Sequence, residues 1–151
     1  MPTHYAGTRA EMRTLDTFIK LSRCHGSVMA RLAACNTIGD LTFSQFAVLE
    51  ALYYLGHMTQ GEISSKILKS TSNLTTVIDN LERNGLVRRE RDTKDRRVIH
   101  IHLTEAGTSK IEAVFPDHVA ALAEIFSILS AAEQQTLGAL CKKLGKGKES
   151  E

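Results

Sequence analysis

The sequence predicts a mainly α-helical fold with one small β-hairpin, and three observations support this fold class. Apolar residues recur at intervals of three and four along most of the chain, which is the spacing of one face of an α-helix. Ser or Thr followed three residues later by Glu or Gln precedes several of these stretches, and such capping boxes mark helix starts. Between Leu86 and Leu103 two short runs flank a charged loop, which is the pattern of a hairpin.

The first part of the chain predicts an arm followed by two helices. Residues 1–12 carry no clear periodicity and are expected to form the arm. Apolar residues then recur at helical spacing, which predicts a long helix over residues 15–39. Thr42 and Gln45 form a capping box ahead of a very apolar second helix, which should end near Gly56.

Residues 59–85 predict two further helices separated by a break. Thr59 and Glu62 make the capping box that starts the first of them. The break is expected at residues 68–70, and the second helix should end at Gly85, since glycine ends helices at low cost in a left-handed conformation. The residues that this second helix should turn to the core are Leu74, Val77, Ile78 and Leu81.

The hairpin is predicted at residues 86–103, with a polar tip at residues 92–97. A helix, a turn, a second helix and a hairpin in this order form a winged helix-turn-helix. Residues 88–97 contain six basic and three acidic side chains, a net charge of +3, whereas the whole chain carries +2. Positive charge is therefore concentrated in the hairpin, as expected of a surface that meets phosphate.

Two more helices are predicted after the hairpin. Thr104 should cap the first and place Glu105 near the positive end of the helix dipole. Pro116 should kink this helix without ending it, because the apolar spacing resumes behind it. Ser130 and Glu133 make a capping box for the last helix. The helices on either side of the winged helix have more apolar surface than a monomer can bury, which predicts an isologous dimer.

Length and composition fit one globular domain and argue against several classes of protein. A chain of 151 residues with 42% apolar and 24% charged residues can bury a core. No basic-then-apolar leader begins the chain, and no apolar run approaches the roughly 18 residues of a membrane span, so a cytoplasmic location is expected. Phosphate loops, nucleophile elbows and HExxH motifs are missing, so neither an enzyme nor a cofactor is expected.

The cysteines predict reduced thiols. Their number, three, is odd, which does not suit a disulfide scaffold. Cys24 and Cys35 lie eleven residues apart on the predicted first helix. That spacing corresponds to roughly 16 Å, whereas bridged Cα atoms lie within about 7 Å. These two cysteines therefore cannot pair within one chain.

Five segments, in this order and spacing, resemble the MarR family of bacterial transcriptional regulators. They are LTFSQFAVL at residues 41–49, the helix pair, LERNGLV at 81–87, DRR at 95–97 and LTEAG at 103–107. The similarity runs from about residue 15 to residue 144.

The resemblance implies a homodimer that binds a palindromic operator, usually as a repressor relieved by a small ligand or by oxidation. It also implies one domain over residues 1–151. Within it, residues 12–37 and 104–145 would form dimerisation helices, and residues 42–103 would form the winged-helix DNA-binding lobe.

The second helix of the pair should lie in the major groove of DNA. Asn73 is the side chain best suited to read adenine. This face has no Arg, whereas the family often has one where Thr76 stands, so specificity should depend on DNA shape and the minor groove. The resemblance implies that Arg97 enters that groove, and we expect Asp95 to orient it by a salt bridge. The candidate DNA-binding residues are Ser70, Thr71, Ser72, Asn73, Thr75, Thr76, Arg88, Lys94, Asp95, Arg96 and Arg97; the alternative for the hydroxyls is a role as caps and solvated surface.

An effector site is implied by the resemblance alone. Related proteins bind phenolic or other small anions between the first helices and the DNA-reading lobe. The candidates near that junction are His25, Met29, Phe46 and Tyr53. The alternative for each of them is a place in the apolar core.

Three other interpretations stay open. Cys24 could be a thiol sensor, as in peroxide-sensing relatives, although it lies closer to Leu41 than that pattern has it. The winged helix could serve protein contacts, with the charge of the wing facing an acidic partner. His100 and His102 alternate to the same face of a strand, but two ligands do not make a metal site, so none is expected.

Overall fold

The computed structural model describes residues 4–67 and 71–147, and of Thr71 and Ser72 it describes only the backbone. Among these residues there are six helices and three strands. They are α1 (Arg9–Ala34), α2 (Phe43–Leu55), β1 (Met58–Thr59), α3 (Gln60–Ile67), α4 (Thr71–Arg83), β2 (Val87–Arg91), β3 (Ile99–Leu103), α5 (Glu105–Phe126) and α6 (Ala131–Lys146). The chain divides into two compact units: a helical unit of residues 1–36 and 120–151, and a winged-helix unit of residues 37–119.

The core of the winged-helix unit lies where α2, α3, α4 and the sheet meet. Leu74, Ile78 and Leu81 of α4 are fully buried, and Val77 is half-buried, so the predicted apolar face of this helix is confirmed. Burying each such aliphatic side chain contributes about 1.5–3 kcal/mol. The other members of this core include Ile38, Leu41, Phe46, Val48, Leu49, Leu52, Met58, Ile63, Val87, Ile101 and Ile111.

The sheet is antiparallel and has three strands in the order β1-β3-β2. β2 and β3 form the predicted hairpin, with Arg88 opposite His102 and Glu90 opposite His100. β1 pairs on the other side of β3, with Met58 opposite Ile101. Side chains directly opposite each other lie on the same face of a sheet. The sheet therefore has an inner face that includes Ile101, and an outer face with the two histidines.

The capping boxes that the sequence predicted in this unit are present. Thr42 accepts a hydrogen bond from the Gln45 N–H, and the Gln45 side chain accepts one from the Thr42 N–H. Thr59 and Glu62 make the same reciprocal pair at the start of α3. The predicted break at residues 68–70 lies outside the described residues. These boxes satisfy N–H groups that a helix start otherwise leaves without partners.

One turn at Gly85 and Leu86 joins four elements. The N–H groups of Gly85 and Leu86 donate to carbonyls of the last turn of α4, at 2.9 Å each, and Gly85 has the left-handed φ of +71° that this ending requires. The Leu86 carbonyl accepts from the Thr104 N–H at 3.1 Å, and the Thr104 hydroxyl donates to the Gly85 carbonyl at 2.6 Å. The first turn of α5 approaches so closely that a Cβ added at Gly107 would lie 2.0 Å from the Leu86 carbonyl oxygen. The end of α4, the start of β2, the end of β3 and the start of α5 thus meet at this turn.

The helical unit differs from the sequence prediction at both ends of α1. The helix begins at Arg9, inside the expected arm, because Thr8 and Glu11 form a capping box there. It ends at Ala34 rather than near Gly39, and residues 35–40 form turns in which Asn36 has a positive φ of 48°.

The last two helices form over the predicted segments. α5 runs through Pro116 as far as Phe126, so the proline does not end it. α6 starts at the predicted capping box of Ser130 and Glu133. No residue of α6 is buried, and its apolar face is exposed together with residues of α1. The large exposed apolar residues of this unit include Phe18, Leu21, Ile128, Leu137, Leu140 and Leu144.

Within the described ranges, no single helix has the length and apolarity to cross a membrane, although α5 and α6 together meet both criteria as a bent pair.

Candidate nucleic-acid interface

The exposed face of α4 carries the polar side chains that the sequence assigned to base contacts. Asn73, Thr75 and Thr76 are exposed, opposite the buried face of the helix. The Gln60 side chain of α3 donates to the Thr75 hydroxyl at 2.6 Å, so this hydroxyl is held from the neighbouring helix. Thr71 and Ser72 form the first turn of α4, but their side chains are not described, and Ser70 lies outside the described residues.

Arg89 fastens the hairpin to α4. Its guanidinium makes ion pairs with Asp79, at 2.6 Å, and with Glu82, both on α4. The Arg89 N–H also donates to Glu82, at 3.2 Å. Arg89 is the third residue of β2, whose first residue is the buried Val87. The side chain of Arg89 is only 26% exposed. Two carboxylates therefore neutralise this cation, and it adds little to the field that faces outward.

The tip of the wing is organised by two aspartates. One carboxylate oxygen of Asp92 accepts hydrogen bonds from the N–H groups of Lys94, at 2.7 Å, and Asp95, at 2.9 Å. Those two N–H groups, Asp95 first, lower the pKa of Asp92. Asp95 in turn accepts from the Arg97 N–H at 3.0 Å. Local bonds of this kind are how aspartate stabilises turns.

The expectation of a salt bridge between the side chains of Asp95 and Arg97 is wrong. This pair is not among the ion pairs of the described residues; the Asp95 carboxylate holds the backbone of Arg97 instead. The guanidinium of Arg97 is thereby left available. Lys94, Arg96 and Arg97 are all exposed and make no ion pair with another described residue. Three cations without a carboxylate partner among these residues therefore occupy the tip.

The other two arginines of β2 make contacts within the hairpin. Arg88 is exposed and pairs with Glu90 on its own strand. Arg91 donates to the Arg96 carbonyl at 3.0 Å and so helps to close the tip. Sequence reasoning did not assign roles to Arg91 or Asp92. The signal for Asp92 was present, since an Asp followed by a short polar segment between two strands is a turn former.

The outer face of the sheet gathers three imidazoles, which we call the histidine face: His57, His100 and His102 with Arg88, Glu90 and Asp92. The ring centroids of His57 and His102 are 4.5 Å apart, nearly parallel, and those of His57 and His100 are 5.2 Å apart. His100 lies 3.3 Å from Asp92 and His102 lies 3.8 Å from Glu90, measured from Nε2 to the carboxylate oxygen.

The shared face of His100 and His102 was predicted, although Ile99 is exposed rather than turned inward. Burial, followed by the proximity of His57 and Arg88, lowers the pKa of His102. Among the described residues, no group of three or more His, Cys, Asp or Glu side chains has the geometry to hold a metal ion.

The effector candidates on α2 have different surroundings. Phe46 is buried in the core, with its ring centroid 6.1 Å from that of Phe115 and 4.4 Å from that of His118. The core alternative therefore describes Phe46. Tyr53 is exposed, and its hydroxyl donates to Glu112 at 3.0 Å, a bond that raises the pKa of Tyr53.

The candidates on α1 belong to the helical unit. His25 is exposed and Met29 is half-buried. Cys24 is also exposed, and it lines a cavity of about 250 Å³ together with Val28, Arg31 and apolar residues that include Ile125 and Leu137. The thiols of Cys24, Cys35 and Cys141 are all free, as the odd count predicted.

A helix pair followed by a charged hairpin, with polar side chains exposed on the second helix and three exposed cations at the tip, defines a winged helix-turn-helix DNA-binding protein. Comparison with known proteins agrees. The MarR family model matches residues 41–99. The transcriptional regulator MhqR of Bacillus subtilis is 35% identical over 133 residues, covering 88% of this chain and 92% of MhqR. The chain belongs to the MarR family.

Two further comparisons extend this result. YkoM of Bacillus subtilis, an HTH-type transcriptional regulator, is 44% identical over 102 residues, covering 68% of this chain and 66% of YkoM. The solved structure of BpsR from Bordetella bronchiseptica, whose DNA binding is regulated by 6-hydroxynicotinic acid, matches with a TM-score of 0.73 and 25% identity over 83% of this chain and 98% of that one. The protein is accordingly a DNA-binding transcriptional regulator of the MarR family and not an enzyme.

Proposed function

We propose that the protein is a homodimeric repressor that binds a palindromic operator with α4 in the major groove and the wing in the adjacent minor groove. The observation that carries this proposal is the wing tip, where Lys94, Arg96 and Arg97 have no carboxylate partner among the described residues. Asp92 and Asp95 shape this tip through the backbone, and Arg89 fastens the hairpin to α4. Reading helix and wing are thus held in one arrangement before DNA arrives, which lowers the ordering cost of binding.

Base contacts are assigned to the exposed residues of α4. Asn73 can pair with adenine through its amide, whereas Thr75 and Thr76 can contact thymine methyl groups or accept and donate single hydrogen bonds. None of these residues offers the bidentate contact to guanine that Arg makes. Specificity would therefore come largely from the width of the minor groove, where Arg97 is attracted by the enhanced negative potential of A·T-rich DNA.

The dimer is proposed from the apolar residues that the helical unit leaves exposed. Leu140 and Leu144 of α6 are 59% and 66% exposed, and Phe18 of α1 is 63% exposed. Contiguous apolar surface of this kind is uncommon on monomers and usually marks an interface. A second copy of the same unit would cover it symmetrically, and a two-fold symmetric dimer matches the symmetry of a palindromic operator.

A small phenolic or other aromatic anion is proposed as the signal that releases DNA. The support is the likeness to BpsR, whose DNA binding is regulated by 6-hydroxynicotinic acid. Of the four candidate effector residues, Tyr53 and His25 are exposed and can contact a ligand directly, Met29 is half-buried, and Phe46 belongs to the core. A regulator with this role would act in the cytoplasm, where the chromosome is.

Oxidation of Cys24 is a second candidate signal, because this exposed thiol lines the cavity of the helical unit. Replacing Cys24 by Ser would abolish release by peroxide if the thiol is the sensor, and would leave it unchanged if a ligand alone is the signal.

Fluorescence anisotropy with a labelled duplex from the DNA that flanks the gene tests the DNA-binding proposal. We expect tight binding that prefers this duplex over a scrambled one and weakens steeply with salt. Arg97→Ala should cost about 1–3 kcal/mol. Lys142→Ala, which removes the same charge from the exposed face of α6, is the matched control and should bind normally. Equal and weak binding to both duplexes would refute operator recognition and would favour a module for protein contacts.

A further inference from the structure

We propose that the histidine face makes DNA binding depend on pH: protons taken up by His57, His100 and His102 increase the affinity of the protein for DNA. The inference deepens the proposed function and rests on it. It starts from the geometry of the outer sheet face, where two imidazoles of β3 and that of His57, just before β1, lie within 6.5 Å of one another, measured between ring centroids.

The charges around the imidazoles make this face sensitive to protons. Four charged groups face them: Arg88 and Glu90 from β2, Asp92 from the start of the tip, and Glu62 from the first turn of α3. With neutral imidazoles, these four groups, one cation and three carboxylates, carry a net charge of −2. Three added protons would change that to +1. Histidine is the side chain whose ordinary pKa allows this change near neutral pH.

The face is joined to the tip of the wing by hydrogen bonds. His100 lies 3.3 Å from one carboxylate oxygen of Asp92, and the other oxygen of Asp92 accepts the N–H groups of Lys94 and Asp95. Asp95 then accepts the N–H of Arg97, the arginine that is proposed to enter the minor groove. A charged imidazole at His100 would tighten its bond to Asp92 and so hold the turn that presents Arg97.

The direction of the effect follows from linkage. In the free protein, burial first and then the neighbouring His57 and Arg88 lower the pKa of His102 and so disfavour its charged form. DNA phosphates would bring negative charge within about one Debye length of the face and favour the protonated form. Binding then favours proton uptake at this face, and proton uptake strengthens binding as pH falls. Uptake of one proton per protomer corresponds to about a tenfold change in affinity per pH unit.

The test is the anisotropy titration of the flanking duplex from pH 8.0 to pH 5.5 at constant ionic strength, with EDTA present so that metal binding by imidazole is excluded. For the wild type we expect the dissociation constant to fall as pH is lowered from 8.0, by up to about tenfold per pH unit for each proton taken up on binding. The variant with His57→Gln, His100→Gln and His102→Gln should lose this slope and keep the wild-type affinity at pH 8.0 within about twofold. His25→Gln, an exposed histidine of the helical unit, is the matched control and should keep the slope.

The outcomes separate the inference from the function on which it rests. If the flanking duplex binds specifically but the triple variant keeps the full pH slope, the inference is wrong and the proposed function stands. If no variant binds the duplex specifically at any pH, both fail. Should the triple variant not fold, as judged by circular dichroism, His57→Gln alone serves, because His57 precedes β1 and is exposed. NMR titration of the imidazole protons with and without duplex gives an independent check: a pKa that does not rise on DNA binding overturns the inference.

Discussion

Gly107→Ala should disrupt the junction at the root of the wing. The added Cβ would lie 2.0 Å from the carbonyl oxygen of Leu86 and 3.0 Å from the Leu103 side chain, and the first of these neighbours is backbone that cannot rotate away. Relief requires α5 to move off the turn. That movement breaks the Thr104 N–H bond to Leu86, at 3.1 Å, and the Thr104 hydroxyl bond to Gly85, at 2.6 Å.

The magnitude follows from these losses. Each of the two hydrogen bonds contributes about 0.5–1.5 kcal/mol net, and overpacking costs a further 1–3 kcal/mol, so the free energy of unfolding should fall by about 2–6 kcal/mol. Urea unfolding followed by circular dichroism, at one fixed protein concentration, measures this change. Gly26→Ala is the matched control, since its added Cβ meets nothing within 4 Å in the interior of α1. Alanine in a helix interior should stabilise by roughly 0.5–1 kcal/mol. A Gly107→Ala protein within 1 kcal/mol of wild type would refute the reasoning.

Three further substitutions test separate parts of the structure. Arg89→Met removes both ion pairs to α4 and should lower the free energy of unfolding by about 1–2 kcal/mol in the same urea assay; this loss should shrink in high salt, which screens the pairs of the wild type, and a loss that does not depend on salt would contradict the role of the ion pairs. Asp92→Glu keeps the charge but is too long for the turn, so amide hydrogen exchange at Lys94 and Asp95 should accelerate; unchanged exchange would show that the turn forms without it. Leu140→Asp places a charge on the proposed dimer surface and should give a monomer in sedimentation experiments, whereas a persistent dimer would move the interface elsewhere.

The winged-helix unit was predictable because its signals are local and periodic. The buried face of α4 follows from spacings of three and four, and Gly85 marks its end as a left-handed residue should. The same reasoning missed the start of α1. Thr8 and Glu11 are a capping box in the sequence, and this signal was missed because residues 1–12 show no clear apolar periodicity.

The charge count was less informative than it first seemed. Arg89 belongs to the six basic residues of the wing segment, yet it faces α4 and is paired there with Asp79 and Glu82. Counting residues cannot separate the two faces of a strand, whereas the strand register can. The histidine face shows the same limit, because His57 joins His102 only through the two-residue strand β1, which is too short to leave a periodic signal.

The turn at Gly85 and Leu86 also has a mechanical consequence. Its backbone closes the last turn of α4, and its carbonyls accept from Thr104 at the start of α5. A rotation of α5 would therefore act on the carboxyl end of α4 through these hydrogen bonds. No flexible linker separates the turn from either helix, so the movement would be transmitted directly. The amino end of α4, which faces DNA in the proposed complex, lies about 18 Å farther along the same helix, at 1.5 Å per residue. A small tilt of α4 at the turn would therefore displace its amino end by a larger distance. In the proposed complex, a small movement of α5 would in this way change the position of the side chains that contact the bases.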